Sequence, residues 1–166
     1  VQDDTLKLKS FDSLNTEADY NMVRRMRGSV CLMGPLLAKF GRARMPLPGG
    51  CVIGSRPIDI HLKGFAALGA HIEVNHGIVD VTAPLSGMKG TTVNLSGPYG
   101  STVLGTINVM LAALGSHGCT RIDGAAKEPE VLTVGNYLRQ CGAHISGLGT
   151  DCIEIEGMAA LSGGLF

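Results

Sequence analysis

The chain has 166 residues, 45% hydrophobic and 17% charged, with 14 basic residues against 14 acidic ones. That suffices for one or two packed domains and is too apolar for a disordered chain. Zero net charge, no Trp, and only four Phe and three Tyr argue against nucleic-acid binding through bulk charge or base stacking, while leaving a local anion site open.

In chain order, Leu6-Lys-Leu-Lys9 alternates like a strand, and residues 20–40 predict one helix stopped at Gly41. Arg42-Ala-Arg-Met-Pro-Leu47 predicts a strand leading into a Pro/Gly-rich loop. Ile60, Phe65 and Leu68 recur at helical spacing, and Ile78-Val-Asp-Val81 alternates. Ser96-Gly-Pro-Tyr-Gly-Ser-Thr102 has the composition of a backbone nest for an anion, although it matches no P-loop or GxGxxG pattern. A helix over 106–114 ends near Gly115 and Gly118, followed by the strand Thr120-Arg-Ile-Asp123. Val131, Val134 and Leu138 mark another helix, and Ile153-Glu-Ile155 another strand.

The chain repeats itself. Leu-Gly-Ala-His-Ile at 68–72 returns as Cys-Gly-Ala-His-Ile at 141–145, a spacing of 73 residues, and the alternating runs at Leu6 and Val79 share that spacing. Such a period implies supersecondary units packed around a shared core. The division expected is a repeat tail at 1–12, full units at 13–85 and 86–159, and a stub at 160–166. Each unit mixes helices with short strands, so the class is α/β or α+β. His71 and His144 hold equivalent places and read as structural.

The copies diverge most where the first carries Pro48-Gly-Gly-Cys51-Val-Ile-Gly-Ser-Arg56-Pro and the second has Ala125-Ala-Lys-Glu-Pro-Glu130. Both copies of a core are needed by the fold, whereas a loop that departs in one copy is free to serve function. Cys51 can act there as a nucleophile or a general acid, its thiol acidified by a cation such as Arg56. His61 lies ten residues further on, with nothing in the sequence to set it beside the thiol. Arg56 and Arg27 are candidate anion ligands, because a guanidinium fork matches phosphate oxygens. Asp59 can accept a hydrogen bond from a nucleobase or sugar, or equally cap the following helix. Glu130 reads as an exposed helix-start acid, and Glu128 stays open.

Five cysteines without a CxxC pair point neither to a disulfide framework nor to a zinc knuckle; reduced thiols in a cytosol fit better. No signal peptide or membrane-spanning apolar run is legible. A chain opening at Val1 without Met is expected to lie within a longer one.

Together, Met26-Arg27-Gly-Ser, Gly34-Pro-Leu-Leu-Ala-Lys-Phe-Gly41, Leu47-Pro-Gly-Gly-Cys51-Val-Ile-Gly-Ser-Arg56-Pro-Ile-Asp59-Ile-His61, Ala125-Ala-Lys-Glu-Pro-Glu130 and Gly147-Leu-Gly-Thr-Asp151 closely resemble the UDP-N-acetylglucosamine 1-carboxyvinyltransferase family. The resemblance covers nearly the whole chain. It implies a two-lobed enzyme, each lobe an inside-out α/β barrel of three βαβαββ units. Such enzymes move enolpyruvate from phosphoenolpyruvate to the 3-hydroxyl of UDP-N-acetylglucosamine and release phosphate. This is the first committed step of peptidoglycan synthesis, in the bacterial cytoplasm, and so serves cell-wall biogenesis, cell shape and division. No cofactor, metal, nucleic acid or membrane is implied.

By matching position, Cys51 is the proton donor, able to form a covalent adduct with phosphoenolpyruvate and to be alkylated by fosfomycin. Arg56, Pro57, Ile58, Asp59 and Ile60 match the segment binding the uridine and phosphate parts, and Arg27 an arginine lining that site. Ser101, Thr102 and Val103 match a nucleotide-contacting turn, although the loop here is longer and lacks a lysine often found at its start. The chain is also expected to lack the opening unit of its lobe and the entire other lobe, so that it does not turn over alone. A non-catalytic nucleotide-sugar-binding or scaffold module is the alternative, and the sister family that makes enolpyruvylshikimate phosphate is a third reading.

Overall fold

Asp19 starts the first helix in the computed structural model, which describes residues 15–47, 58–98 and 100–163. Its carboxylate accepts from the Met22 N–H at 2.9 Å and caps α1 (Tyr20–Arg25). The single helix expected over 20–40 is divided. After α1 come a 3-10 helix (Arg27–Leu32) and then α2 (Met33–Phe40). Met26 leaves the helix with φ −138° and ψ 104°. Its carbonyl accepts from both the hydroxyl and the N–H of Ser29, an alternative to the helical ladder. At the second junction a distant side chain, Asn108, stands between the Val30 carbonyl and the Gly34 N–H. Those two groups would otherwise form an i→i−4 bond.

Gly41, at φ 68°, stops α2 where the sequence said it would, and β1 (Arg42–Pro46) follows. The Cys51 loop, with Arg56 and Pro57, lies outside the described residues, as does the alternating run at 6–9. The chain continues with α3 (Asp59–Ala67), β2 (His71–Asn75) and β3 (Ile78–Thr82). The β2–β3 hairpin turns on His76 at φ 52° and Gly77 at φ 76°, the left-handed pair that a tight, right-twisting hairpin requires. The remainder is β4 (Thr92–Asn94), α4 (Val103–Ala113), β5 (Cys119–Asp123), α5 (Pro129–Gln140), β6 (Ile145–Ser146) and β7 (Cys152–Glu156). α4 begins ahead of the expected 106 because the Thr102 hydroxyl accepts from the Gly105 N–H at 3.3 Å. Pro129 supplies the fixed φ that suits the first position of α5.

The strands form two sheets, ordered β1-β3-β2 and β4-β5-β7-β6. In the second, β4 runs parallel to β5 and the remaining pairs are antiparallel. The first sheet gains the same kind of parallel neighbour from a bridge between Glu17 and Arg44, so both halves follow one order. Cross-strand ion pairs repeat as well, with Arg44 opposite Asp80 and Arg121 opposite Glu154. The repeated Gly-Ala-His-Ile is the exit from the last helix of each half, α3 and α5. Gly69 (φ 93°) and Gly142 (φ 98°) turn the chain, while Ala70 and Ala143 donate back to Phe65 and Leu138 at 3.0 and 2.9 Å. The two equivalent histidines then start out exposed at the surface, His71 facing Glu73 at 3.2 Å.

Each sheet buries one face, through Ala43, Met45, Val79 and Val81 in one and Val93, Ile122, Ile153 and Ile155 in the other. The helices lie against these faces, and α4 is buried on almost every side, in contact with α2, α3 and α5. Such close contact needs glycine. A β-carbon on Gly34 would overlap the Asn108 carbonyl oxygen and stand 2.7 Å from its Oδ1. Gly34→Ala, which would help an isolated helix by about 1 kcal/mol, is therefore expected to destabilise the protein by roughly 1–3 kcal/mol. Denaturant midpoints compared at unchanged slope measure this; a stabilised variant would contradict the packing.

Candidate functional site

Contacts between helices fix which ends come together. Along α2 and α4, Gly34 abuts Asn108 and Ala38 abuts Gly115, so these helices run in the same direction. Along α3 and α4, His61 meets Asn108 and Gly64 meets Val109, while Ile60 lies against Gly97 in the loop before α4. The 3-10 helix starting at Arg27, the start of α3 at Asp59 and the start of α4 after Thr102 therefore face one end of the helical layer. Helix starts carry partial positive charge and unpaired N–H groups, so this end favours an anion. Arg27 adds a full positive charge, felt at His61.

The segments are joined by a buried polar cluster. The Gly34 N–H donates to Asn108 Oδ1 at 2.7 Å, Asn108 Nδ2 donates to the Val30 carbonyl at 2.8 Å, and the same nitrogen lies at hydrogen-bond distance, 3.0 Å, from His61 Nδ1. His61 is 3% exposed and Asn108 fully buried. Burial holds the imidazole neutral, the Arg27 charge acts in the same direction, and the Asp59 carboxylate opposes them, leaving the His61 pKa lowered to about 4. Beside this cluster the Thr106 hydroxyl accepts from the Ala126 N–H at 3.0 Å, tying α4 to the Ala125-Ala126 turn ahead of α5.

A family model described as EPSP synthase (3-phosphoshikimate 1-carboxyvinyltransferase) matches residues 2–165. The chain belongs to this family. It is 52% identical over 151 residues to UDP-N-acetylglucosamine 1-carboxyvinyltransferase of Akkermansia muciniphila, covering 91% of this chain and 35% of that protein. It is also 52% identical over 159 residues to the protein of that name from Methylacidiphilum infernorum, covering 96% of this chain and 37% of the relative. The resemblance read from the sequence is thus borne out, and the chain spans about a third of the length of these relatives. The fold agrees with the enolpyruvyl transferase NikO from Streptomyces tendae, with TM-score 0.67 at 24% identity over 84% of this chain and 32% of that one. An EPSP synthase from Acinetobacter baumannii gives TM-score 0.61 at 21% identity, covering 82% and 30%. The α/β class expected from the sequence is that of the EPSP synthase family.

The described candidate residues fall into this frame as follows. Arg27 opens the 3-10 helix and is half-buried; Ile58 is buried in the core; Asp59 is exposed at the first position of α3; Ile60 is half-buried against Gly97. Ser101 is exposed, Thr102 caps α4 and Val103 packs on the core. Ahead of α4, Gly97 and Gly100 exchange hydrogen bonds at 2.8 and 3.1 Å. The N-cap of α3 is Ile58, so Asp59 stands one residue inside the helix as its first-turn acid and is exposed at the surface. Glu130 is the first-turn acid expected for α5, and Glu128 is the exposed residue just before it. Cys31, Cys119, Cys141 and Cys152 are all free thiols, and burial pushes the Cys31 thiol up.

Sequence reasoning passed over Asn108. Its signal is a single carboxamide in the apolar run Ile107-Asn-Val-Met-Leu-Ala-Ala113, since a polar side chain inside a buried helix has to find partners.

The neutral imidazole has a consequence for pH. His61 binds its proton near pH 4 when folded and near its ordinary value of about 6.5 when unfolded. Between those values the unfolded chain holds more protons, so stability falls as pH drops through that window. The contribution is complete above about pH 6.5 and approaches, by pH 4, a loss on the order of 3 kcal/mol. Denaturant midpoints between pH 7 and 4 for wild type and His61→Gln are expected to show a shallower fall in the variant. Parallel curves would mean that His61 does not control this acid sensitivity.

Proposed function

We propose that this chain is part of a bacterial cytoplasmic enzyme that transfers enolpyruvate from phosphoenolpyruvate to the 3-hydroxyl of UDP-N-acetylglucosamine, releasing phosphate for peptidoglycan synthesis. The observation that carries this reading is identity of about one half, across nine-tenths of the chain, to relatives named for that transfer. The gathering of Arg27 and the starts of α3 and α4 at one end supports it, since both substrates are anionic. Because the chain spans about a third of those relatives, we assign it two repeat units of one inside-out barrel lobe. The rest of that lobe and the second lobe would supply the other catalytic groups.

In this reading Arg27 and Arg56 hold substrate anions. Pro57, Ile58, Asp59 and Ile60 engage the nucleotide with Ser101, Thr102 and Val103. Asp59 accepts a hydrogen bond from the sugar or base. The Cys51 thiol donates its proton to the methylene carbon of phosphoenolpyruvate, leaving an oxocarbenium-like centre at C2. The sugar 3-hydroxyl attacks that carbon through its oxygen, and its O–H bond breaks as the proton is released. Loss of a proton from the methyl group and departure of phosphate regenerate the double bond and leave the enolpyruvyl ether. Closure of the two lobes would exclude water during these steps.

In the complete protein, Cys51→Ser is expected to lower kcat by at least about 100-fold, the range for losing a positioned proton donor. Cys51→Asp is expected to retain turnover and lose inactivation by fosfomycin, because a carboxylic acid delivers the proton but is not alkylated as a thiolate is. Phosphate release with UDP-N-acetylglucosamine measures both. Unchanged turnover in Cys51→Ser would overturn the role of the thiol. Binding of the nucleotide sugar by the complete wild type without phosphate release would instead favour a non-catalytic module. Activity on shikimate 3-phosphate would indicate the sister reaction.

A further inference from the structure

Every described segment that carries a candidate substrate residue converges on the side chain of Asn108. The carboxamide bridges Val30 and Gly34, in and just after the 3-10 helix that starts at Arg27. It bonds His61, two residues after Asp59 and next to Ile60. It also sits on α4, whose first turn begins at Val103, directly after Ser101 and the capping Thr102. We propose that Asn108 is a positioning residue for the nucleotide-sugar site, fixing His61 as the neutral tautomer protonated on Nε2 and holding the Arg27, Asp59–Ile60 and Thr102–Val103 segments in register. This rests on the functional reading above.

The tautomer follows from the backbone. Gly34 offers only an N–H and Val30 only a carbonyl, so the Asn108 oxygen must face Gly34 and its nitrogen must face Val30. The reverse orientation would set donor against donor and acceptor against acceptor. With Nδ2 fixed as a donor, His61 Nδ1 at 3.0 Å can only accept, and the ring proton resides on Nε2. The charges felt at His61 are the Arg27 guanidinium and the Asp59 carboxylate, both from candidate-site residues. A shift in the carboxamide would move all three segments together, because in each case it bonds backbone or a helix-borne ring rather than a flexible chain end.

The test uses the complete protein with 15N-labelled histidine. In wild type at pH 7, long-range 1H–15N spectra are expected to show His61 protonated at Nε2 alone. Asn108→Asp keeps the shape of the side chain and an acceptor for Gly34 but loses the donor, so Nδ1 is expected to take up a proton. In the same variant, kcat/KM for UDP-N-acetylglucosamine is expected to fall by roughly 10- to 100-fold, the scale of an ångström-sized misplacement. Most of that loss should reside in the KM for the nucleotide sugar, with the KM for phosphoenolpyruvate within about threefold of wild type. Asn108→Leu removes all three bonds and tests the same split where it folds; Ile155→Val, a core truncation in β7, is the control that should lower stability with no change in either KM.

A wild-type ring protonated on Nδ1 at neutral pH would overturn the proposal. So would Asn108→Asp with wild-type KM values, or an equal rise in KM for both substrates. If complete wild-type protein does not bind UDP-N-acetylglucosamine at all, the functional reading fails, and the nucleotide assignment with it. Normal binding by wild type and by the Asn108 variants alike would overturn only the positioning role.

Discussion

A carboxamide standing in for a peptide bond organises this half of the molecule. Asn108 receives the Gly34 N–H and donates to the Val30 carbonyl, taking the place of an i→i−4 helical bond. This separates the 3-10 helix from α2 without leaving a buried donor or acceptor unpaired, which would cost on the order of 1–3 kcal/mol for each group. It also requires α2 and α4 to approach so closely that only glycine fits at position 34. The remaining proton of the amide goes to His61, and α3 is thereby anchored to the same point. Break, helix crossing and imidazole state are three results of one hydrogen-bonding group.

What that arrangement presents is charge. The 3-10 helix, α3 and α4 start at one end of the helical layer, where Arg27 lies within electrostatic reach of His61. A protonated imidazole there would add to the positive charge, but burial and Arg27 itself keep it neutral at physiological pH. Positive potential at this end comes instead from the Arg27 guanidinium and from backbone dipoles. The imidazole is reserved for geometry, with one nitrogen accepting from Asn108.

The parts of the fold encoded locally were legible. Gly41 as a helix stop, the strand after it and the alternating runs that became β3 and β7 depend on backbone freedom or side-chain period, both of which a single sequence displays. The 73-residue repeat anticipated two halves of like composition, and the sheets of the two halves run in the same order. The break near residue 33 was hidden because its cause is 74 residues away on another helix. Arg27 and Asp59 were singled out for their chemistry, yet their relation to each other depends on His61 and Asn108 meeting across α3 and α4. The Cys51 loop, the strongest signal in the sequence, contributes motif and chemistry but no described geometry.

The repetition also explains how equivalent helix starts can differ in chemistry. Helix exits, sheet order and the Arg44–Asp80 and Arg121–Glu154 pairs recur, so backbone placement is common to both halves. The starts of α3 and α5 are therefore alike as scaffolds and differ in chemistry. Before and within the first turn of α5 stand Glu128 and Glu130, whose carboxylates satisfy the helix dipole and repel a second anion. α3 carries the single carboxylate Asp59, offset by the nearby charge of Arg27. The start of α3 is thus less repulsive to an anion than the equivalent start of α5. Asymmetry of charge on a symmetric framework distinguishes the two places, and it leaves the shared core untouched.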